Sequence, residues 1–292
     1  MSLRSVSEER ATARVGISGW TYRPWRGVFY PRGLVQREEL AFAAGRLDSI
    51  EINGTFYALQ RPASYLRWRA ETPDDFVFSV KGGRYITHIL RLTDATQAVA
   101  GFFASGVLAL QEKLGPILWQ VPQTLRFDPE TLDTFLAMLP RSVDQAKLLI
   151  AEHSQLAEDR TWTNTTTNRP IRHALEVRHE SFLVPAFAEI LRRHNVAAVV
   201  ADTAGRFPRI REVTADVVYV RLHGDTELYA SGYTDEALDE WAEVVRGWLT
   251  GESCPDGRGR EVFVYFDNDA KVRAPFDAMR LRERLSALSP HG

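Results

Sequence analysis

The stretch YVRLHGD, residues 219–225, alternates polar and aliphatic side chains at the end of a β-rich segment. Successive side chains of a strand point to opposite faces, so Tyr219, Arg221 and His223 share one face and the aliphatic residues between them share the other. Burying a charge without a partner is costly. The polar face must therefore meet partner groups, and where it finds them decides the fold.

The length and composition are those of an ordinary compact α/β protein. The chain has 292 residues, a formal net charge of −2 and one cysteine, so it cannot form an intramolecular disulfide. Because the charge is nearly balanced, we do not expect a broad positive surface or nucleic acid as a partner. Residues 1–13 are polar, lack the apolar core of a signal peptide and are predicted to be a disordered tail. We predict a cytoplasmic protein with no membrane segment.

Eight β-rich runs alternate with helical patterns along residues 14–290. The runs are 14–18, 47–53, 76–81, 116–122, 173–177, 196–202, 216–222 and 261–267. Helices are predicted at 36–45, 62–71, 94–113, 129–139, 144–157, 184–194, 234–249 and 275–287. The stretch 141–170 is predicted to hold an extra helix and a polar loop, and the connection 203–215 is predicted to lack a helix. This alternation indicates a parallel sheet covered by helices, which is either a closed barrel or an open doubly wound sheet.

The strand faces favour the barrel. In an open sheet both faces of a central strand meet helices, whereas in a barrel one face looks inward and polar groups gather at the C-terminal mouth. Seven strands carry polar side chains near their C-terminal ends: Glu51 and Asn53, Ser79 and Lys81, Gln120, Glu176 and Arg178, Asp202, Arg221 and His223, and Tyr265 and Asp267. We therefore predict a single (β/α)8 TIM-barrel-like domain over 14–290, with one polar pocket at the mouth.

The charged members of this set allow several interpretations. The cations are Lys81, Arg178 and Arg221, and the carboxylates are Glu51, Glu176, Asp202 and Asp267. They can brace the interior as ion pairs, bind a divalent metal, or act as the carboxylate pair of a glycosidase. The cations would repel a metal and would keep the carboxylates ionised, which makes them poor general acids. A pocket for a small anionic or sugar-like ligand, with no metal and no cofactor, is the favoured interpretation.

Two histidines and one aromatic segment are predicted to face the same mouth. His223 ends the seventh strand and His88 lies in the loop after the third, which suits acid–base chemistry or ligand contact. The segment GWTYRPWRGVFYPRG, residues 19–33, interleaves aromatic rings with arginines. It predicts a packed lid, a stacking wall, or both. The sequence has no G-x-S-x-G motif and no Walker loop.

Seven stretches, taken in order, resemble the motifs of the YecE-like family of soluble proteins of unknown function. They are GISGWTYRPWRGVFYP (16–31), IEINGTFY (50–57), FVFSVKGGRYITH (76–88), LGPILWQVP (114–122), EVRHESF (176–182), YVRLHGD (219–225) and VYFDNDAKVRAP (264–275). The resemblance covers about residues 14–287 and implies a TIM barrel, but no reaction. The family's recurrent residues fall here on Trp20, Glu51, Asn53, Lys81, His88, Gln120, Glu176, Arg178, Asp202, Arg221, His223 and Asn268.

One local departure from the family pattern is the sequence DND at 267–269, where relatives often carry paired asparagines. This departure puts the role of Asp267 in doubt and makes Asn268 the safer candidate for the site.

Together these observations predict an enzyme acting on a small anionic or sugar-like compound, with hydrolysis among the reactions left open. The predicted catalytic residues are Glu176, His223 and Glu51, with Glu176 or His223 moving a proton. The predicted substrate-binding residues are Trp20, Asn53, Lys81, His88, Gln120, Arg178, Asp202, Tyr219, Arg221 and Asn268. Arg221 is expected to pair with Glu176 or Glu51 and to keep other donors free for an anion.

Two other functions stay open on the sequence alone. One is a metal-dependent phosphodiesterase or DNA-repair-type barrel, and the other is a binding protein without turnover. The second is favoured if all the carboxylates of the pocket pair internally. The sequence does not fix the oligomeric state.

Overall fold

The eight predicted strands form a closed parallel barrel in a computed structural model that describes residues 11–288. The strands are β1 (Ala13–Ser18), β2 (Ser49–Ile52), β3 (Val77–Lys81), β4 (Leu114–Gln120), β5 (His173–Glu176), β6 (Val196–Asp202), β7 (Val217–Leu222) and β8 (Glu261–Phe266). They pair in sequential order, and β8 closes the barrel on β1. The predicted fold is therefore confirmed. Most of the predicted tail, residues 1–10, lies outside the described part, and Ala13 already belongs to β1.

Helices surround the barrel. In the described part of the chain the α-helices are α1 (Glu39–Ala44), α2 (Gly54–Tyr57), α3 (Pro62–Ala70), α4 (Thr96–Ala104), α5 (Pro129–Met138), α6 (Val143–His153), α7 (Pro185–Arg193), α8 (Asp235–Thr250) and α9 (Ala274–Leu288). The extra helix within 141–170 is α6, and the connection 203–215 contains no helix. A short π-helical turn at Tyr85–Ile89, which the sequence pattern did not indicate, follows β3.

The predicted helix 94–113 is divided in two. After α4 the chain turns at Gly106 and continues as a 3-10 segment, Val107–Lys113. Gly106 has a φ of 119°, and a Cβ there would lie 2.7 Å from the Cα of Pro62. A residue with a side chain would be strained in this backbone conformation, so the glycine permits the turn.

Helix α8 shows how the sequence pattern builds the outer layer. Its predicted apolar stripe, formed by Leu238, Trp241, Val245 and Trp248, is buried against the barrel. The helix begins where the predicted cap, Thr234, accepts a hydrogen bond from the backbone N–H of Ala237. A hydroxyl in this position satisfies a backbone donor that has no partner within the helix.

The barrel interior is layered along its axis. Its lower part is packed with small and aromatic side chains, among them Ala174, Ala197, Val199, Tyr219 and Tyr265. The hydroxyl of Tyr265 lies 2.6 Å from Oγ of Ser49 and 2.7 Å from Oγ of Ser79, which satisfies these buried polar groups. This packed floor fills the barrel interior below the C-terminal mouth.

Candidate functional site

Arg221 lies at the centre of the barrel and is only 1% exposed. Its Nε and Nη2 donate to the two carboxylate oxygens of Glu51, at 3.0 and 2.8 Å. Nη1 donates to Oε2 of Glu176 at 2.7 Å, and Nη2 also donates to Oδ2 of Asp267 at 3.0 Å. The expected pairing with carboxylates is present. The expectation of free donors for a ligand is wrong, because three carboxylates converge on this one guanidinium.

Glu51 is saturated with hydrogen bonds and is 0% exposed. Besides Arg221, it accepts from Oγ of Ser18 at 2.9 Å and from the hydroxyl of Tyr219 at 2.6 Å. Both oxygens are therefore committed beneath the mouth. This geometry favours a bracing role for Glu51 and Tyr219 over the predicted roles in catalysis and substrate binding.

Glu176 is also held in its ionised form. Its Oε1 accepts from Nε of Arg178 at 2.8 Å, while Oε2 accepts from Arg221. Burial opposes ionisation, but Arg178 and Arg221 outweigh it and hold the pKa of this carboxyl well below its ordinary value. A carboxylate with such a low pKa is a poor general acid, which also disfavours the glycosidase interpretation.

Asp267, not Asn268, belongs to the charged network. His223 is fully buried beside this carboxylate. Its Nδ1 lies 3.0 Å from Oδ2 of Asp267, but the contact does not meet the geometry of a hydrogen bond. Its Nε2 lies 3.5 Å from Nη1 of Arg221. Asn268 points the other way and donates to Oδ2 of Asp277 at 3.0 Å. The preference for Asn268 was wrong, because Asp267 continues the inward face of β8 and Asn268 does not.

The charge of Asp267 should be visible in the acid stability of the protein. Burial raises the pKa of Asp267, but Arg221 and His223 reverse this and lower it to about 2, against about 3.9 in an unfolded chain. A depressed pKa stabilises the fold above pH 4, by roughly 2–3 kcal/mol, and this contribution is lost as the pH falls from about 4 to 2. We expect Asp267→Asn to lower the free energy of unfolding at pH 7, and to lower it by roughly half as much at pH 3, where about half of the contribution is already lost.

Urea unfolding at both pH values measures this effect. Asp216→Asn is the control, because Asp216 is exposed and its carboxylate makes no hydrogen bond within residues 11–288. Equal destabilisation by Asp267→Asn at the two pH values would contradict the prediction.

Lys81 lies above this network at the C-terminal end of β3 and is 9% exposed. Its Nζ lies 4.5 Å from the ring centroid of Phe56 and has no hydrogen bond or ion pair within residues 11–288. Next to it, His88 packs edge-on against Phe56, with ring centroids 5.1 Å apart. Burial and the nearby Lys81 lower the pKa of His88 to about 4, so this imidazole is neutral at physiological pH.

Arg178 lies just after β5, two strands along the barrel from Lys81. Its Nε is fixed by Glu176, and its guanidinium carbon lies 4.8 Å from the ring centroid of Phe207. Its two terminal nitrogens have no hydrogen bond within the described residues. They open onto a groove of about 780 Å³ whose lining includes Arg126, Arg206 and Phe207.

Comparison with known proteins identifies the family of the chain. Residues 14–291 match the family described as "Protein of unknown function DUF72". The chain belongs to the DUF72 family. Among its relatives, the UPF0759 protein YecE of Escherichia coli strain K12 is 32% identical over 129 residues, which make up 43% of this chain and 44% of YecE. The chain therefore matches less than half the length of this curated relative. The resemblance to the YecE-like family is confirmed.

Solved DUF72 structures share the barrel. A crystal structure of a DUF72 family protein from Thermotoga maritima MSB8 superposes with a TM-score of 0.70 at 25% identity, covering 94% of this chain and 99% of that one. A DUF72 family protein from Enterococcus faecalis V583 gives 0.69 at 16% identity, covering 94% and 96%. These relatives confirm the fold and carry no assigned reaction in their names.

Several predicted DUF72 site residues lie away from the charged network. The residues of β6 that face inward are all apolar, and Asp202 belongs to the alternating set that faces outward. The Tyr233 hydroxyl lies 3.3 Å from its carboxylate. Trp20 packs edge-on against Trp68, with ring centroids 5.4 Å apart. Gln120 is buried, and its amide donates to the backbone carbonyl of Val121. Asn53 precedes α2, and its buried Oδ1 has no partner in the described residues.

The aromatic segment 19–33 of this DUF72 protein forms a packed lid. Trp25, Phe29 and Tyr30 are buried and contact one another through their rings. The Tyr30 hydroxyl donates to the backbone carbonyl of Trp20 at 2.6 Å, which pins the segment down. The packed lid is the alternative that the structure favours, and rings available for stacking lie elsewhere at the mouth.

Two mouth residues were missed by the sequence analysis. Phe207 stacks on Arg178, and Tyr229 packs edge-on against His223 with ring centroids 5.3 Å apart. Both lie in loops that follow strands, after β6 and β7. Since all such loops of a barrel meet at the C-terminal face, their aromatic residues were detectable as candidates.

The described residues, 11–288, contain no group of three or more histidine, cysteine, aspartate or glutamate side chains arranged to hold a metal ion. The absence of a metal and of a cofactor stays a prediction. No helix of this part of the chain has the length and apolar character that a membrane span requires.

Proposed function

We propose that this protein binds a small anionic compound at the C-terminal mouth of its barrel. The observation that supports this best is that two cations at the mouth keep N–H groups that no described residue accepts. Arg178 and Lys81 are largely buried and keep N–H groups without acceptors in the described residues. Burial is the main cause that lowers the pKa of His88, and Lys81 and Arg178 add to it. An anion with two or more oxygens would accept these hydrogen bonds.

The mouth is organised for such a ligand before it binds. Glu176 and Phe207 hold the guanidinium of Arg178 from two sides, so little side-chain entropy is lost when its terminal nitrogens engage an anion. Arg126 and Arg206 are exposed and add positive charge along the adjoining groove. Among the described residues that line this groove, Glu180 is the single acidic one. A groove dominated by one sign of charge attracts ligands of the opposite sign.

The internal pairing of Glu51, Glu176 and Asp267 bears on catalysis. All three carboxylates are neutralised by arginine, so none is available as a general acid. This observation favours binding without turnover as the second candidate function. If the protein is an enzyme, its chemistry rests on Lys81 and His88 rather than on the predicted Glu176, His223 and Glu51.

A thermal-shift panel of inorganic phosphate, sugar phosphates and small carboxylates tests the proposal. A ligand at a hundredfold excess over its Kd stabilises the fold by roughly 2.7 kcal/mol, which is roughly 5–10 °C for a chain of this size. We expect at least one anion to raise the Tm of wild type, and Arg178→Ala to lose this shift relative to its own baseline.

The matched control is Arg246→Ala, which removes an arginine from the exposed surface of α8, where it pairs with Glu243 and Glu252. This variant should keep the full ligand-induced shift. A wild-type Tm that no anion moves, or a shift that survives in Arg178→Ala, would refute anion binding at the mouth.

A further inference from the structure

Lys81 differs from every other lysine of the chain. The sequence contains four lysines, because almost all of its basic residues are arginines. Nζ of Lys113 donates to the backbone carbonyls of Arg69 and Thr72. Nζ of Lys147 donates to the carbonyl of Thr165, and that of Lys271 pairs with Glu227. Lys81 alone, within residues 11–288, has an amine with no acceptor, and its side chain is largely buried.

The surroundings of Lys81 favour its neutral amine. The face of the Phe56 ring attracts the ammonium group but offers no conventional hydrogen-bond acceptor, whereas burial and the second positive charge of Arg221 disfavour the charged form. Glu51, Glu176 and Asp267 act in the opposite direction, but each is already committed to arginine. Burial and Arg221 together lower the pKa of Lys81 to about 8. At pH 7, Lys81 then carries a neutral amine in roughly a tenth of the molecules.

We propose that Lys81 is a nucleophile that forms an imine with an anionic aldehyde or ketone held by Arg178. An unpaired, desolvated lysine beside another cation is an activated amine in carbonyl chemistry. The inference rests on the proposed function, because Arg178 must bring the anionic end of the compound to the mouth. It narrows the ligand to a carbonyl compound with a phosphate or carboxylate group.

The step is balanced without an oxidant or a reductant. The lone pair of Nζ attacks the carbonyl carbon, a C–N bond forms, and the π electrons of the C=O bond move to oxygen. A proton passes from nitrogen to that oxygen, and a further proton taken up from solvent allows the C–O bond to break with loss of water. The product is a protonated C=N bond on Lys81.

His88 is placed to move these protons. Its Nδ1 is occupied at 2.9 Å by Oγ1 of Thr87, and its Nε2 has no hydrogen bond in the described residues. The imidazole is neutral, so it can accept a proton from the attacking amine and return it to the departing oxygen. This role needs no contribution from the saturated carboxylates below.

Borohydride trapping tests the imine directly. The protein is incubated at pH 7 with glyoxylate or with pyridoxal 5′-phosphate, reduced with sodium borohydride, and mapped by peptide mass spectrometry. We expect the reduced adduct on Lys81 to exceed that on Lys113, Lys147 and Lys271 at least tenfold. Acetaldehyde, which lacks an anionic group, should label Lys81 at least tenfold more slowly than glyoxylate.

Two variants separate the nucleophile from the anion site. Lys81→Arg keeps the positive charge but removes the primary amine, so it should give no adduct at this position. Arg178→Ala should reduce labelling of Lys81 at least tenfold. Labelling of wild-type Lys81 should rise with pH and level off above about 8.

The outcomes that overturn the inference are distinct from those that overturn anion binding. If phosphate raises the wild-type Tm but the adduct is absent from Lys81 or spread evenly over the four lysines, Lys81 is not a nucleophile and the proposed function stands. If Lys81 is labelled equally by glyoxylate and by acetaldehyde, the anionic substrate class is wrong. If no anion shifts the Tm and Lys81 is not labelled, both proposals fail.

Discussion

Arg221→Ala should lower the free energy of unfolding by at least about 3–5 kcal/mol, the loss expected when one partner of a buried ion pair is removed. The reason is that Glu51, Glu176 and Asp267 all accept hydrogen bonds from this one guanidinium. Without it, Glu51 loses its only cationic partner among the described residues, Glu176 keeps only Arg178, and three carboxylates repel one another in the barrel interior. Urea unfolding followed by tryptophan fluorescence measures the change.

The exposed Arg246 provides the control, since Arg246→Ala breaks surface ion pairs that are worth about 1 kcal/mol or less. If Arg221→Ala does not fold, the variant combining Arg221→Met with Glu51→Gln and Asp267→Asn tests the same argument. It removes most of the unpaired charge and should be more stable than Arg221→Ala. The network would lose its assigned role if Arg221→Ala stayed within 1 kcal/mol of wild type.

Gly16→Ala should prevent the barrel from closing. Gly16 lies in β1 opposite Ser49 of β2, and a Cβ at this position would sit 1.8 Å from the Ser49 carbonyl oxygen and 2.6 Å from its carbonyl carbon. The clash is with backbone, so no side-chain movement relieves it and the two strands must separate. We expect a loss greater than the roughly 1–3 kcal/mol typical of overpacked cores, seen as little soluble protein or a strongly lowered Tm.

Gly101→Ala is the matched control for this substitution. Gly101 lies inside α4, and a Cβ there would meet nothing within 4 Å. Alanine is favoured over glycine within a helix by roughly 0.5–1 kcal/mol, so this variant should be as stable as wild type or slightly more stable. Equal effects of the two alanines would show that the β1–β2 contact is not the cause.

The charged groups above the packed floor fall into two sets, and this division shapes what the protein can do. The lower set, Arg221 and its carboxylates, is saturated and nearly inaccessible, so it supplies rigidity and fixes Arg178 through Glu176. The upper set, Lys81, His88 and Arg178, keeps unused hydrogen-bonding groups. Binding and any chemistry therefore belong to the upper set, which is the one that the proposed experiments address.

The sequence by itself determined the barrel and the inward face of most strands. Side-chain alternation is a local property of extended backbone, so the pattern of YVRLHGD placed Arg221 on the same kind of face as Glu51 and Glu176 without knowledge of their contacts. Polar groups on one face of many strands are compatible with a barrel mouth and not with helices on both sides. The motif resemblance led to the same fold.

Tertiary structure alone decided which of these residues are free to act. Arg221 meets Glu51 across 170 positions of sequence and Glu176 across 45, and only the closed barrel brings all three to one point. Both faces of β6 are apolar, so no pattern could show that Asp202 faces outward. The number of hydrogen bonds that each carboxylate accepts depends on side chains from several strands at once. For that reason the saturation of Arg221, and the amine that this leaves unpaired on Lys81, could be seen only in the folded chain.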